Sequence, residues 1–222
     1  NATISLGNYC NHKCLWCSVY AAQEKDVKQA DVIKLTSFLA RAYYQGLKSI
    51  TYIGNGEPTA HPKFSDLVRD VAKIGLKQGM FTNGYLLDRH FDQVLEHFTF
   101  VRVSLDAGSA STHEQMHDVK NQYDKIMENI QNLLSKRESK FPTIGIQYAV
   151  HHLNIEDLRS SAKLARDLGV DYFSIKPVFN RGSVGLRIEK NQLTEEDLSP
   201  LAGAIQQEFS SPEFTVYYRP HQ

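Results

Sequence analysis

The chain has 222 residues, 41% of them hydrophobic, with 25 Lys+Arg against 25 Asp+Glu. That length supports one substantial core rather than two typical domains, and the balanced charge points to no polyanionic partner, nucleic acid included. No run of about 18 apolar residues occurs, so no transmembrane helix and no membrane partner is expected, and no basic-then-apolar leader opens the chain.

Ala2-Thr3-Ile4-Ser5-Leu6 alternates and predicts a strand ending at Gly7-Asn8. The chain thus enters a strand within a few residues of Asn1, as expected of a core excerpted from something longer. Three cysteines follow, Cys10, Cys14 and Cys17, in the spacing C-x3-C-x2-C, and they are all the protein has. A polar connector, Gln23 to Asp31, leads to a helix carrying Ile33, Leu35, Phe38, Leu39 and Ala42 and stopped at Gly46. Ser49 to Ile53 is the second strand and runs into Gly54-Asn55-Gly56-Glu57-Pro58. Pro62 opens the next helix, with Phe64, Leu67, Val68 and Val71 on one face and Gly75 at its end.

Gln78 to Phe81 is the third strand, ending at Thr82-Asn83-Gly84, and a helix near Asp88 to His97 follows. Phe100 to Asp106 is the fourth strand. Tyr123, Ile126, Met127, Ile130, Leu133 and Leu134 have helical spacing. Thr143 to Val150 is the fifth strand, and Asn154 is expected to cap a helix with Leu158, Leu164, Ala165 and Leu168, closed by Gly169. Tyr172 to Lys176 is the sixth strand, ended by Pro177. A glycine-containing loop (Arg181 to Gly185), a helix capped at Thr194 and a strand-like Phe214 to Tyr218 complete the chain. The charged stretch Ser135 to Lys140 reads as a solvated helix end.

Six strand–helix alternations with short connections predict a parallel sheet with helices outside, either an open sheet or a barrel. Every unusual residue falls at or just after a strand end: the cysteines, Gly54 to Pro58, Thr82 to Gly84, Ser104 and Asp106, Gln147 to His152, and Lys176. Parallel strands bring those ends to one face, where such folds build their sites.

For the cysteines, a disulfide leaves one sulfur over, and both short loops suit the bridge geometry poorly. Soft thiolates select zinc or iron–sulfur clusters. Both usually take four protein ligands, so three cysteines leave one position open. Clustered free thiols also fit a reducing, cytoplasmic setting.

C-x3-C-x2-C with an aromatic, Trp16, before the last cysteine resembles the radical S-adenosylmethionine (SAM) superfamily. Gly54-Asn55-Gly56-Glu57-Pro58 is similar to the family's Gly-Gly-Glu-Pro motif, with Asn55 as a departure. The resemblance runs from about Ile4 to Lys176. It implies an α/β fold, a partial (β/α)6 TIM-type barrel over residues 1–180, with residues 181–222 as a C-terminal helix and strand packed on the core. It implies that Cys10, Cys14 and Cys17 hold one [4Fe–4S] cluster whose fourth iron is chelated by SAM. It places Gly54, Asn55, Gly56 and Glu57 along the methionyl amino group. Thr82, Asn83, Ser104 and Asp106 would serve the methionyl carboxylate and ribose, with Trp16 and the backbone near Val19 at the adenine and Lys176 as a cofactor or substrate contact. The activity implied is reductive cleavage of SAM to methionine and a 5′-deoxyadenosyl radical that takes hydrogen from a peptide, protein or carbohydrate-like metabolite, with flavodoxin or ferredoxin as electron donor. The Ser-Leu-Asp-Ala-Gly run is similar to members with a cysteine-rich SPASM or twitch extension, but no cysteine follows Cys17.

Other readings stay open. The cysteines could form a non-catalytic iron–sulfur module, or a zinc module with His12 or a later histidine as fourth ligand. The barrel could instead bind SAM for polar methyl transfer. Thr82-Asn83-Gly84 is by itself an ordinary turn sequence, and Gln147, His151 and His152 read more readily as structural than as catalytic.

Overall fold

The computed structural model of the chain describes residues 1–17, 27–178 and 191–220. The position expected at the adenine, Val19, the Arg181–Gly185 loop and the first part of the Gln23–Asp31 connector lie outside those residues.

Seven strands form one sheet in chain order, each parallel to its neighbours: β1 (Ala2–Ile4), β2 (Ser49–Tyr52), β3 (Lys77–Thr82), β4 (Phe98–Ser104), β5 (Thr143–Val150), β6 (Tyr172–Pro177) and β7 (Thr215–Tyr218). The crossovers carry α1 (Val32–Tyr44), α2 (Phe64–Ile74), α3 (Phe91–His97), α4 (Ala110–His117) and α5 (Tyr123–Lys136), α6 (Leu158–Leu168), and α7 (Glu195–Phe209). This is an α/β partial TIM-type barrel with helices outside, and the C-terminal helix and strand add a seventh strand beside β6. Thr194 caps α7 as expected: its hydroxyl accepts from Asp197 N while the Asp197 carboxylate accepts from Thr194 N.

Side chains alternate across the sheet. Tyr52, Met80, Val101, Val103, Ile144, Ile146, Phe173 and Ile175 are buried beneath the helices. Each such aliphatic or aromatic side chain contributes about 1.5–3 kcal/mol of transfer free energy. Gln78 enters this layer at no polar deficit, because it accepts from Tyr52 Oη at 2.6 Å and donates to Val68 O at 3.0 Å. The other face is different. Thr51, Phe81, Arg102, Gln147 and Lys176 are only half-buried, so the concave side is not filled by aliphatic layers.

Several local expectations are corrected. β4 begins at Phe98, two residues early, so Leu105 and Asp106 lie beyond its end and Asp106 turns left-handed at φ 55°. The helix near Asp88 is a 3-10 turn, Leu87–His90, leading into α3. Asn154 does not cap a helix, and a 3-10 turn (Ile155–Asp157) intervenes before α6. Its amide instead donates to Asp106 O (2.9 Å) and Ala149 O (3.0 Å) and accepts from His151 N (2.8 Å), sewing the ends of β4 and β5 together. In α1, Val32 and Leu39 face the core while Ile33 and Phe38 face out at 73% and 55% exposure. Arg137, expected in a solvated run, donates to Pro142 O and pairs with Asp171. Helix α4, unforeseen in the sequence, carries two buried histidines.

Candidate metal–thiolate site at the barrel mouth

The cysteine loop leaves β1 and is fixed by backbone hydrogen bonds to elements far along the chain. Lys13 N and Leu15 N donate to His117 O (2.9 Å) and Met116 O (3.0 Å), satisfying the last carbonyls of α4. Tyr9 O accepts from Glu57 N at 2.8 Å. The glycines of Gly54-Asn55-Gly56 are required by this packing. A Cβ on Gly56 would lie 2.2 Å from Tyr9 O, and one on Gly54 would lie 1.6 Å from Gly56 O. Among the described contacts the close approach is therefore to the cysteine loop itself. Asn55 N donates to Ser5 Oγ at 3.3 Å.

Cys10, Cys14 and Cys17 are free thiols, each partly buried, and Cys17 N donates to Cys14 O at 3.0 Å. Burial, with Glu57 and the other two sulfurs, pushes the Cys10 thiol far above its ordinary range. A thiolate there needs a positive partner, and a bound metal supplies one. The three sulfurs suit an iron–sulfur cluster by number and type.

Glu57 is 6% exposed and accepts four hydrogen bonds. Its Oε1 takes Thr59 N (3.1 Å), Thr59 Oγ1 (2.6 Å) and Thr82 Oγ1 (2.6 Å), and Oε2 takes Asn83 N (2.8 Å). Burial raises its pKa, and those four donors oppose the rise without cancelling it. Asn83 continues the network: Nδ2 donates to Asn11 Oδ1 at 2.9 Å and lies 3.9 Å from Cys10 Sγ. Asn11 Nδ2 is buried without a partner beside this junction. The structure thus joins Glu57, Thr82, Asn83 and the cysteine loop in one network.

Asp106 sits elsewhere in the mouth. Its Oδ1 accepts from Ala149 N and its Oδ2 lies 3.4 Å from His117 Nε2, so both oxygens already face protein groups. Ser104 ends β4 in register with Gln147, and Lys176, one residue before the end of β6, is in register with Ala149. His151 and Asn154 are buried in the β5 end, consistent with the structural role read for His151.

Sequence reasoning named His12 but missed His113 and His117 behind Cys14. His117 Nε2 faces Leu105 O at 3.1 Å and the Asp106 carboxylate, all acceptors, so it carries a proton. His117 Nδ1 lies 3.1 Å from Cys14 Sγ and 3.1 Å from His12 Nδ1. His12 Nε2 donates to Gln122 Oε1 (2.9 Å), which leaves a lone pair on His12 Nδ1. Both His117 nitrogens therefore face acceptors, and the ring is an imidazolium. Its burial opposes that charge, yet the neighbouring Cys14 sulfur and the Asp106 carboxylate more than offset it and push the pKa up to about 10. Burial and the neighbouring His117 charge lower His12 to about 3 and His113 to about 2, keeping both neutral. Trp16 meets His117 edge to face at 5.4 Å. The signal available was His113-x3-His117, an i,i+4 pair led by the N-cap Ser109.

A parallel barrel with three thiols, a buried carboxylate network and polar strand ends at one mouth places the protein in the α/β-barrel class. The chain belongs to the Radical SAM superfamily, whose family profile matches residues 4–165. Members of that family use a [4Fe–4S] cluster and SAM. The chain is 29% identical over 177 residues to the tungsten-containing aldehyde ferredoxin oxidoreductase cofactor-modifying protein of Pyrococcus furiosus, covering 76% of this chain and 48% of that protein. It is 25% identical over 190 residues to the antilisterial bacteriocin subtilosin biosynthesis protein AlbA of Bacillus subtilis, covering 82% of this chain and 40% of that protein. Streptococcus suis SuiB bound to S-adenosylmethionine shares the fold at TM-score 0.81 and 16% identity, covering 100% of this chain and 50% of that one. The chain thus spans about half the length of its curated relative from Pyrococcus. Among the described residues, no helix is long and apolar enough to cross a membrane.

Proposed function

We propose that this chain is the SAM-cleaving core of a radical SAM enzyme, with Cys10, Cys14 and Cys17 as the ligands of one [4Fe–4S] cluster. When bound, cluster and SAM supply the chemistry: one-electron cleavage to methionine and a 5′-deoxyadenosyl radical that takes hydrogen from a substrate C–H bond. The chain's own part is to bind, orient and exclude water. His117 holds Cys14 by a charge-assisted hydrogen bond and lowers the electrostatic cost of concentrating thiolates. Glu57 braces the ends of β2 and β3, presenting Gly54 to Gly56 and the polar Thr82–Asn83 edge to the methionyl group. Ser104 and Lys176 lie on the same mouth for the rest of the cofactor. Asp106 acts here as a brace for His117 and β5, and its carboxylate reaches the ribose only by giving up one of those partners. Flavodoxin or ferredoxin would deliver the electron in a reducing, cytoplasmic setting. The relatives' names span a tungsten-enzyme cofactor and a bacteriocin, so no substrate is carried over from them.

The observation that supports this reading is the loop of three thiols at the carboxyl end of a parallel barrel, with Cys14 and Cys17 in the field of Cys10 and His117 Nδ1 at 3.1 Å from Cys14 Sγ. Anaerobic reconstitution followed by iron and sulfide analysis, then dithionite and chromatography for 5′-deoxyadenosine, tests it. Deoxyadenosine formation that disappears in Cys14→Ala is expected. S-adenosylhomocysteine formed independently of the cysteines would reject the radical reading. One observation favours a second reading: His12, His113 and His117 bring ring nitrogens within 4.8 Å of one another beside Cys14, a donor set suited to zinc. Zinc without sulfide in the reconstituted protein would establish that alternative.

A further inference from the structure

The seven strands contain Lys77, Arg102 and Lys176 but no Asp or Glu. Arg102 is the one on the central strand, β4. Val101 and Val103, its neighbours on β4, are fully buried beneath the helices, and a Cβ on Gly84 would touch both Val103 and Ile126 of α5. Alternation therefore turns Arg102 to the concave face with Phe100 and Ser104. Its guanidinium lies 3.5 Å from the centre of the Phe81 ring on β3. Its Nε is buried without a hydrogen-bond partner, and no carboxylate of the described residues pairs with it.

Burial lowers the Arg102 pKa, and the charge of Arg219 adds to the fall while Tyr172 and Asp106 oppose it. Arg219, just beyond β7, lies over Tyr217 at 5.3 Å. Lys176 projects from β6 on the same face as Tyr172 and Ser174, since Phe173 and Ile175 take the buried face. Of the two acids whose fields reach Arg102, the Tyr172 phenol has its pKa raised by burial, and the Asp106 oxygens are engaged by Ala149 and His117. A half-buried guanidinium stacked on an aromatic ring, with an orphaned N–H and cations around it, is a receptor for an oxyanion.

We infer that the concave face binds a substrate bearing a carboxylate or phosphate group, held by Arg102 with support from Lys176 and Arg219, below the mouth where SAM is proposed to lie. Arg102 stands two residues below Ser104, about 6.6 Å down the strand, which separates it from the cofactor's level. The inference rests on the proposed function for the cofactor's position, while the anion receptor itself follows from the strands alone. Phe81 and Phe100, 5.8 Å apart, supply an apolar wall beside the charged group. A ligand with a carbon skeleton ending in an anion matches that pairing.

The test uses the reconstituted protein, with and without SAM, and calorimetric titration of matched probes: glutarate against glutaramide, and glycerol 3-phosphate against glycerol. The anionic member of at least one pair is expected to bind about tenfold or more tightly than its neutral partner, the scale of one charge-assisted hydrogen bond. The first pair reports a carboxylate receptor and the second a phosphate receptor. Arg102→Met is expected to erase the preference and Arg102→Lys to retain part of it, with SAM affinity unchanged in both. Because Arg102 is unpaired, Arg102→Met is also expected to melt no lower than wild type. Loss of SAM affinity in Arg102→Met without any anion preference in the wild type would overturn the inference, assigning the guanidinium to the methionyl carboxylate. Equal binding of charged and neutral probes, or a preference that survives Arg102→Met, would overturn it as well. Failure of deoxyadenosine formation with the preference intact would reject the proposed function alone.

Discussion

Glu57→Gln is the most informative single substitution, because it changes two atoms' chemistry and almost no volume. The carboxylate serves four donors on two oxygens. A glutamine has one acceptor oxygen, best placed on the side of Thr59 and Thr82, which leaves its NH2 facing Asn83 N–H, a donor against a donor. The loss of one charge-assisted bond plus an unpaired buried donor amounts to about 2–3 kcal/mol. Burial already disfavours the Glu57 charge, which returns part of that, so the net is about 2 kcal/mol and about 4–8 °C in melting temperature for a chain of this size. The assay is thermal and urea denaturation of Glu57→Gln, Thr82→Val and the double variant, with SAM affinity by equilibrium dialysis. The two changes should be non-additive by about 0.5 kcal/mol or more. A Glu57→Gln protein as stable as wild type, additive with Thr82→Val, would refute the brace.

His117→Gln keeps a donor near Cys14 Sγ but removes the positive ring, so the bound cluster should become harder to reduce. An EPR-monitored redox titration matching wild type would sink that account. Stability should also fall with acid. His90 donates Nε2–H to Thr59 O (3.1 Å) and accepts from Ser65 Oγ (2.8 Å), and burial holds its pKa below the ordinary 6.5. In the window from 6.5 down to the folded value the unfolded chain takes up a proton that the folded chain refuses, so stability present above 6.5 is lost as pH falls through it. Urea midpoints from about pH 7 to about pH 5 should decline less steeply in His90→Gln than in wild type. Parallel slopes would exclude His90 as a contributor.

The strands were readable because their buried faces are aliphatic and alternate with polar residues, as in Thr143 to Val150. Helix α4 was not, because its buried positions are His113, Met116 and His117, and two of those carry no apolar signal. The cysteines and Gly54 to Pro58 were legible as a group by their position at strand ends. The work that Glu57 and Asp106 do inside the protein was not, since apart from Thr59 beside Glu57 their partners lie at least 25 and 11 positions away along the chain and no local pattern encodes them. Asn154 shows the same limit. Its type and position suited a cap, but three polar groups from the β4 and β5 ends claimed it first. Arg102 stands at a half-exposed strand position whose sidedness became clear only once its register with Phe81 and Gly145 was known.

The bonds from Lys13 and Leu15 to the last carbonyls of α4 have a consequence for biogenesis. The cysteine loop acquires its shape from a helix translated about a hundred positions afterwards, which in turn leans on the β4–β5 edge. A nascent chain halted before that helix emerges holds the same three sulfurs on a floppy tether with no mould around them. If the proposed cluster is held there, its insertion follows synthesis of the middle strands, and a ribosome-stalled chain ending before α4 should be a poor acceptor for any scaffold that donates preassembled iron and sulfide.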